Sequence, residues 1–367
     1  MIDHKVLNLF NSLFATSVRI EFGEGWCRLY FSNTIRNHIC PLIVDACASF
    51  VGLLITIQNW SVFVKHVSHL SSILRYSSLT LAGIFSDVWF LMQRKKYYIL
   101  LEKLLHFDQC YNAMINSWSN ETEASFTRHQ ILFLVASHVT IMSTYVAAFM
   151  WFQVYGPNTK ILIICCVFIG FHFMLQQLYA VFFAEHLSMR YNLLSKVVEQ
   201  RNSRKILLIT LKLYDQLDSM QKIVSEVFGM SCLVSTLIVF LNTAIVFYTE
   251  MIYIVQGGPV VMILSEVITM IPIIIMFYAM MKSFDRLIVE ERKFKTAFMS
   301  LQYQGVESQL GEYSNFLDVI NLKLMTDSPR ITACGLFTLN LQAFNNILAA
   351  IVTYIMILFQ FKDFEKT

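Results

Sequence analysis

Near its end the chain carries Thr353-Tyr354, five apolar residues from Ile355 to Phe359, and then Gln360-Phe361. An amide beside a phenyl ring at the end of an apolar run suits two kinds of chemistry. Repeated around an axis, the Phe361 rings close a pore by excluding water, and the Gln360 amides replace water around a passing cation. In a lone helix, Gln360 reaches the lipid headgroups and Phe361 packs on a neighbour. Thr353 and Tyr354 lie two turns earlier and are expected to pack this helix against its own bundle.

Ionisable residues inside apolar runs are costly in lipid and are functional candidates by default. Glu266 is the strongest, seven residues beyond Pro259 and so roughly 10 Å along a helix. Pro272, further on, is expected to kink that helix and free backbone carbonyls. Trp151, Gln153, Tyr155, Asn242, Tyr248, Glu250 and Thr269 fall at the same end of their runs. Together they offer the aromatic faces and few polar anchors of a small-molecule pocket. Trp151 and Tyr155 fit an interfacial aromatic belt equally well, and Glu266 fits a hydrogen bond to a neighbouring helix. Asp45 and Asp87 fall nearer the opposite surface and are expected to pair helices. His138 and His172 have no second ligand at useful spacing, so no metal site is expected. No nucleophile elbow, phosphate loop, HExxH or Gly-rich dinucleotide turn occurs, so neither an enzyme nor a cofactor is expected.

The elements that must position these residues follow from composition. With 56% hydrophobic and 14% charged residues, the chain falls far short of the roughly 25% charge of soluble domains, which marks an integral membrane protein. A formal charge of +3, with the basic residues in membrane-flanking segments, gives no support to nucleic-acid binding. The eight cysteines lack metal spacing and are expected to be free thiols. The first residues carry no basic-then-apolar signal pattern, so insertion through the first internal helix is expected. Uncharged runs over 129–152, 161–184 and 227–249, and over 260–281 apart from Glu266, predict membrane helices. Residues 39–57 and 72–93 supply two more, each interrupted by charge.

The last run, 331–361, makes seven. As one helix it would reach about 46 Å against a hydrocarbon core of about 30 Å, so part of it lies outside the lipid or breaks. Placing the N-terminus in the cytosol puts 23 Lys and Arg on that side and 5 on the other, as the positive-inside rule requires. The fold class is therefore all-α, a polytopic bundle with the N-terminus inside and the C-terminus outside. Leu207, Leu211, Tyr214, Leu217, Met220 and Val224 recur at helical spacing, as do the apolar residues of 290–302 and 311–324. These segments are expected to continue the helices below the membrane into a packed base. The sequons at Asn59 and Asn120 are not expected to carry glycans, the first because it abuts a span and the second because it falls inside.

Thr-Tyr, five hydrophobic residues and Gln-Phe in a final membrane helix, preceded by Thr332, Ala333, Cys334, Gly335 and Phe337, resembles the C-terminal signature of the insect gustatory receptors. The resemblance implies a tetrameric, ligand-gated, non-selective cation channel, made of identical or related subunits, with the constriction at Gln360 and Phe361. It implies residues 1–38 as a cytosolic segment and 39–284 as a six-helix bundle with an outer-half pocket and a cytosolic extension at 185–226. Residues 285–330 would be cytosolic anchor helices, and 331–367 the pore-lining helix with a short outer tail. The implied partners are a small-molecule tastant, membrane lipids and permeating cations, and the implied location is the plasma membrane of a sensory neuron. Sugar-detecting relatives tend to be acidic where Gln360 stands, so the amide favours a bitter or other non-sugar ligand; a sugar-responsive channel is the alternative within the family. A G-protein-coupled receptor is the alternative outside it. The basic-residue count opposes that reading, and Met189-Arg190-Tyr191 has no acid before its Arg.

Overall fold

The computed structural model describes residues 18–23, 26–31, 47, 50, 67–115, 157–200, 204–256, 260–305, 322 and 331–364. They form an antiparallel hairpin, β1 (Val18–Gly23) and β2 (Trp26–Phe31), followed by five helices. These are α1 (Val67–Ile115), α2 (Pro157–Gln200), α3 (Arg204–Gln256), α4 (Val260–Gly305) and α5 (Leu341–Phe364). The helical body agrees with the all-α expectation. The hairpin adds to it, with β2 touching α1, and Val18 to Phe22 show the alternation that a strand needs. The expected spans at 39–57 and 129–152, and the helix at 311–324, lie outside the described residues except for Cys47, Phe50 and Leu322.

Four of the helices are too long to end at a membrane surface. The 49 residues of α1 would reach about 74 Å, and the 53 of α3 about 80 Å, against about 30 Å of hydrocarbon. Within α3, Ile206–Met251 is apolar and long enough to cross a membrane, and Leu341–Ile357 is a shorter apolar helix. Pro157 opens α2, where its missing N–H leaves no intrahelical bond unmade. The structure keeps α4 helical through Pro272.

The buried core lies mostly along the charged extensions of these helices. It joins Leu100, Leu101, Leu104 and Phe107 of α1 to Leu187, Tyr191 and Leu194 of α2, and these to Phe284, Leu287 and Phe294 of α4. From α3 it takes Leu207, Tyr214, Leu217, Met220 and Val224. Leu211, the remaining member of that stripe, packs against it half-buried. Tyr214 stacks on Phe294 with ring centroids 5.1 Å apart. The α3 stripe is thus a core stripe within the chain, α1 packing on α3 and α2 on α4.

The final run does break. Residues 331–340 form a closed turn with a bridge between Thr332 and Thr338, and α5 begins only at Leu341. Asn340 is its cap, the side-chain Oδ1 accepting a hydrogen bond from Ala343 N at 2.8 Å, which satisfies one of the first-turn amides. The 24 residues of α5 then reach about 36 Å, close to one membrane thickness.

Candidate functional site

The faces of α5 are chemically distinct. Phe344 and Ile351 are buried and Ile347, Leu348 and Ile355 half-buried. Phe344 packs on Phe277 and Tyr278 of α4, with centroids 5.7 and 5.4 Å away. Gln342, Asn346, Ala349, Thr353, Met356 and Gln360 are all exposed. They follow one another at intervals of four, three, four, three and four residues. That interval keeps one seam of a helix facing a common axis.

Tyr354 is exposed, and its ring centroid lies 5.9 Å from that of Phe240 on α3. Thr353 is exposed, and its hydroxyl donates to Ala349 O at 2.9 Å within α5. Phe361 lies on the same helix. Reading backward from Gln360 at heptad spacing was the signal that could have found Asn346 and Gln342.

The expected pocket is described only in part. Glu266 and Thr269 lie on α4, whereas Trp151, Gln153 and Tyr155 lie outside the described residues. On α3, Glu250 is buried, Tyr248 half-buried, and Asn242 is 1% exposed. Neither side-chain atom of Asn242 has a hydrogen-bond partner among the described residues. A buried amide left unpaired costs about 1–3 kcal/mol, which a bound polar group or water would recover. Earlier on α3, Ser235 Oγ accepts from Gln177 Nε2 at 2.9 Å and donates to Ser231 O at 2.7 Å, a pairing of α2 with α3.

Beneath the apolar segments, charged side chains tie the helices together. Arg190 of α2 forms two bonds to Asp108 of α1, Nε to Oδ1 at 3.0 Å and Nη2 to Oδ2 at 2.7 Å, and a third to His186 O at 2.8 Å. Glu185 accepts from Ser283 at 2.8 Å and from Arg286 at 2.9 Å, both on α4. Tyr191 donates to Gln221, which donates to Glu291, joining α2, α3 and α4. Burial, and then the nearby Arg190 charge, hold the His186 imidazole well below its ordinary range. Burial, and then the Glu291 carboxylate, hold the Tyr191 phenol well above its own. For Glu290, burial works upward, but hydrogen bonds from Lys293 and Asn192 outweigh it and leave the carboxyl below its usual value. Apart from His186, one helical turn before Arg190, these partners of Arg190 and Tyr191 lie 30 or more residues away, and the sequence offered no signal for them.

A family model described as 7tm chemosensory receptor matches residues 7–365. The chain belongs to that family. Its fold is shared with the insect olfactory receptor OR5 from Machilis hrabei, at a TM-score of 0.65 and 10% identity, over 97% of this chain and 98% of that one. The same olfactory receptor in complex with eugenol gives a TM-score of 0.58 and 12% identity, over 97% of each chain. A comparison with curated proteins finds no match. The family resemblance read from the Thr-Tyr and Gln-Phe residues therefore stands at the level of a chemosensory receptor, a membrane protein. Cys47, Cys110, Cys232 and Cys334 of this receptor are free thiols.

Proposed function

We propose that this chemosensory receptor is a ligand-gated, non-selective cation channel of the gustatory type, with seven membrane helices per subunit and four subunits around one axis. The observation that carries the reading is the exposed seam of α5, in which Gln342, Asn346, Thr353 and Gln360 alternate with Ala349 and Met356. Three amides and a hydroxyl turned toward hydrocarbon would be costly, so they belong against water or protein. The opposite, apolar face of α5 already packs on α3 and α4. Four such seams around an axis form a polar, water-accessible path closed by Phe361.

Residues 1–38 are then the cytosolic segment, 39–284 the six-helix bundle with the 185–226 extension, 285–330 the anchor and 331–367 the pore helix and tail. A small molecule enters an outer-half pocket that includes Glu266 and Asn242, and it opens the pore by binding the open arrangement more tightly than the closed one. The solved relative with eugenol supports a small organic ligand as the stimulus class. The amide at Gln360, where sugar receptors tend to be acidic, favours a bitter or other non-sugar tastant, and Glu266 suits a cationic one. The subunits are identical or mixed with related receptors, in the plasma membrane of a sensory neuron.

The test is whole-cell current without ligand from cells expressing the full chain, wild type against Phe361→Ala, at matched surface expression. A standing cation current confined to the variant supports the gate. Surface protein with no current in either refutes a homomeric channel closed at Phe361.

A further inference from the structure

The inner end of the last helix is held by a device that the pore alone does not require. Residues 331–340 close on themselves: Leu339 N donates to Ile331 O at 2.9 Å, Ala333 N to Phe337 O at 2.9 Å, and Leu336 N to Ala333 O at 3.0 Å. Cys334 and Gly335 make the reversal with φ of 52° and 79°, and Gly335 N donates to Thr332 Oγ1 at 3.0 Å. Ile331, Ala333 and Leu339 are buried.

This closed loop is fastened to both neighbouring helices. Ser225 of α3 accepts from Thr332 N at 3.2 Å and donates to Thr332 O at 3.3 Å. One turn along α3, Gly229 lets the loop sit directly on the helix backbone. A Cβ there would stand 2.8 Å from Thr332 O and 3.3 Å from Cys334 N. Both are backbone atoms of a loop closed by its own hydrogen bonds, so neither can swing aside as a side-chain tip can. From α4, Asp285 Oδ1 accepts from Leu341 N at 3.4 Å.

The outer half of α5 is held differently. Val352, Thr353, Tyr354, Met356, Ile357 and Gln360 are exposed, and Tyr354 on Phe240 is the ring contact there among the described residues. A helix fixed at one end and thinly covered at the other moves as a lever. Gln360 lies about 30 Å from Asn340 along the axis, so a tilt of about 5° carries it roughly 2.6 Å.

We infer that Gly229 is a positioning residue of the gate: the 331–340 loop, seated on its bare Cα, is the stationary fulcrum about which the last helix tilts. The inference rests on the channel reading above. It gives the glycine a mechanical purpose, because a side chain at 229 would lift the fulcrum and displace Phe361 from the axis. Ser225 holds the same seat by hydrogen bonds without filling space, so its removal is the gentler perturbation.

Two readouts on the full-length receptor test this. The first is hydrogen exchange of 331–341 in lipid nanodiscs, with 179–198 as internal reference. The second is ligand-free current at matched surface expression. Gly229→Ala is expected to raise exchange across 331–341 at least tenfold, to leave 179–198 unchanged, and to pass at least threefold more standing current than wild type. Ser225→Ala is expected to move both readouts in the same direction by less, and Ser225→Thr, which keeps the hydroxyl, to restore wild-type behaviour. Should Gly229→Ala fail to reach the surface, the two Ser225 variants decide. Unchanged exchange in Gly229→Ala and Ser225→Ala overturns the seat. A loosened loop with wild-type current, while Phe361→Ala conducts, overturns the gating role. No current even from Phe361→Ala overturns the homomeric channel closed at Phe361 and the fulcrum with it, whereas the exchange data alone still decide whether the loop is seated.

Discussion

Replacing Arg190 by Met is the sharpest test of how the base is held together. The Arg190 side chain is 4% exposed and that of Asp108 20%, so the pair is largely withdrawn from water while α1 and α2 are clamped by two parallel hydrogen bonds. Removing one member of a buried pair typically costs about 3–5 kcal/mol, because the surviving charge is left unpaired. Asp108 keeps some solvent, which lowers the expectation to about 2–3 kcal/mol. The loss includes the contact of the guanidinium with the Phe107 ring, 5.8 Å from its centroid. For a chain of this size about 2 °C of Tm corresponds to each kcal/mol, so a fall of roughly 4–6 °C is expected.

The assay is thermal unfolding of detergent-purified receptor followed by size exclusion, with every variant heated at one rate because unfolding of such proteins is irreversible. Adding Asp108→Asn to Arg190→Met should recover at least half of the loss, since the orphaned charge is then gone. A single variant within about 1 °C of wild type, or a double variant that merely adds two losses, would refute the account of the base as an electrostatic clamp.

Acidification should loosen the same base. The folded His186 lies below its unfolded value of about 6.5, so the unfolded chain takes up the proton first as pH falls. Its contribution is complete above that value and declines below it. Tm is therefore expected to drop between pH 7.5 and 5.5, with a smaller drop in His186→Gln; equal drops in both would assign the effect to other groups. In the membrane, Asn242→Leu should raise Tm in the absence of ligand, by removing an amide whose burial has no hydrogen-bonded return among the described residues. A lower Tm for that variant would mean that the amide has a structural partner.

Much of this was legible in the residues because it is local. Long uncharged runs bounded by Lys and Arg read as membrane helices without knowledge of neighbours, and the Thr353 to Phe361 spacing carried the family. Leu207 to Val224 read as a packed stripe because helical periodicity needs one strand of sequence only. Even the break before α5 had a signal, since Asn340 followed by an apolar run is a helix cap. The length of the uncharged stretch, too great for one span, pointed to the same break.

What only the tertiary structure decided depends on partners far along the chain. Nothing near Arg190 announces Asp108, 82 residues away, and Met189-Arg190-Tyr191 drew notice only for lacking an acid beside it. The amides and hydroxyls of the last run suggest a face that meets something other than lipid, but which residues of α5 are covered follows only from Phe344 meeting Phe277 and Tyr278. Gly229 is the extreme case. A glycine in an apolar helix is unremarked in sequence, and its meaning lies in two backbone atoms of a loop more than a hundred residues away that occupy the space a Cβ would fill. Periodicity and hydropathy are sums over neighbours in the chain, whereas close approach and charge pairing are properties of neighbours in space.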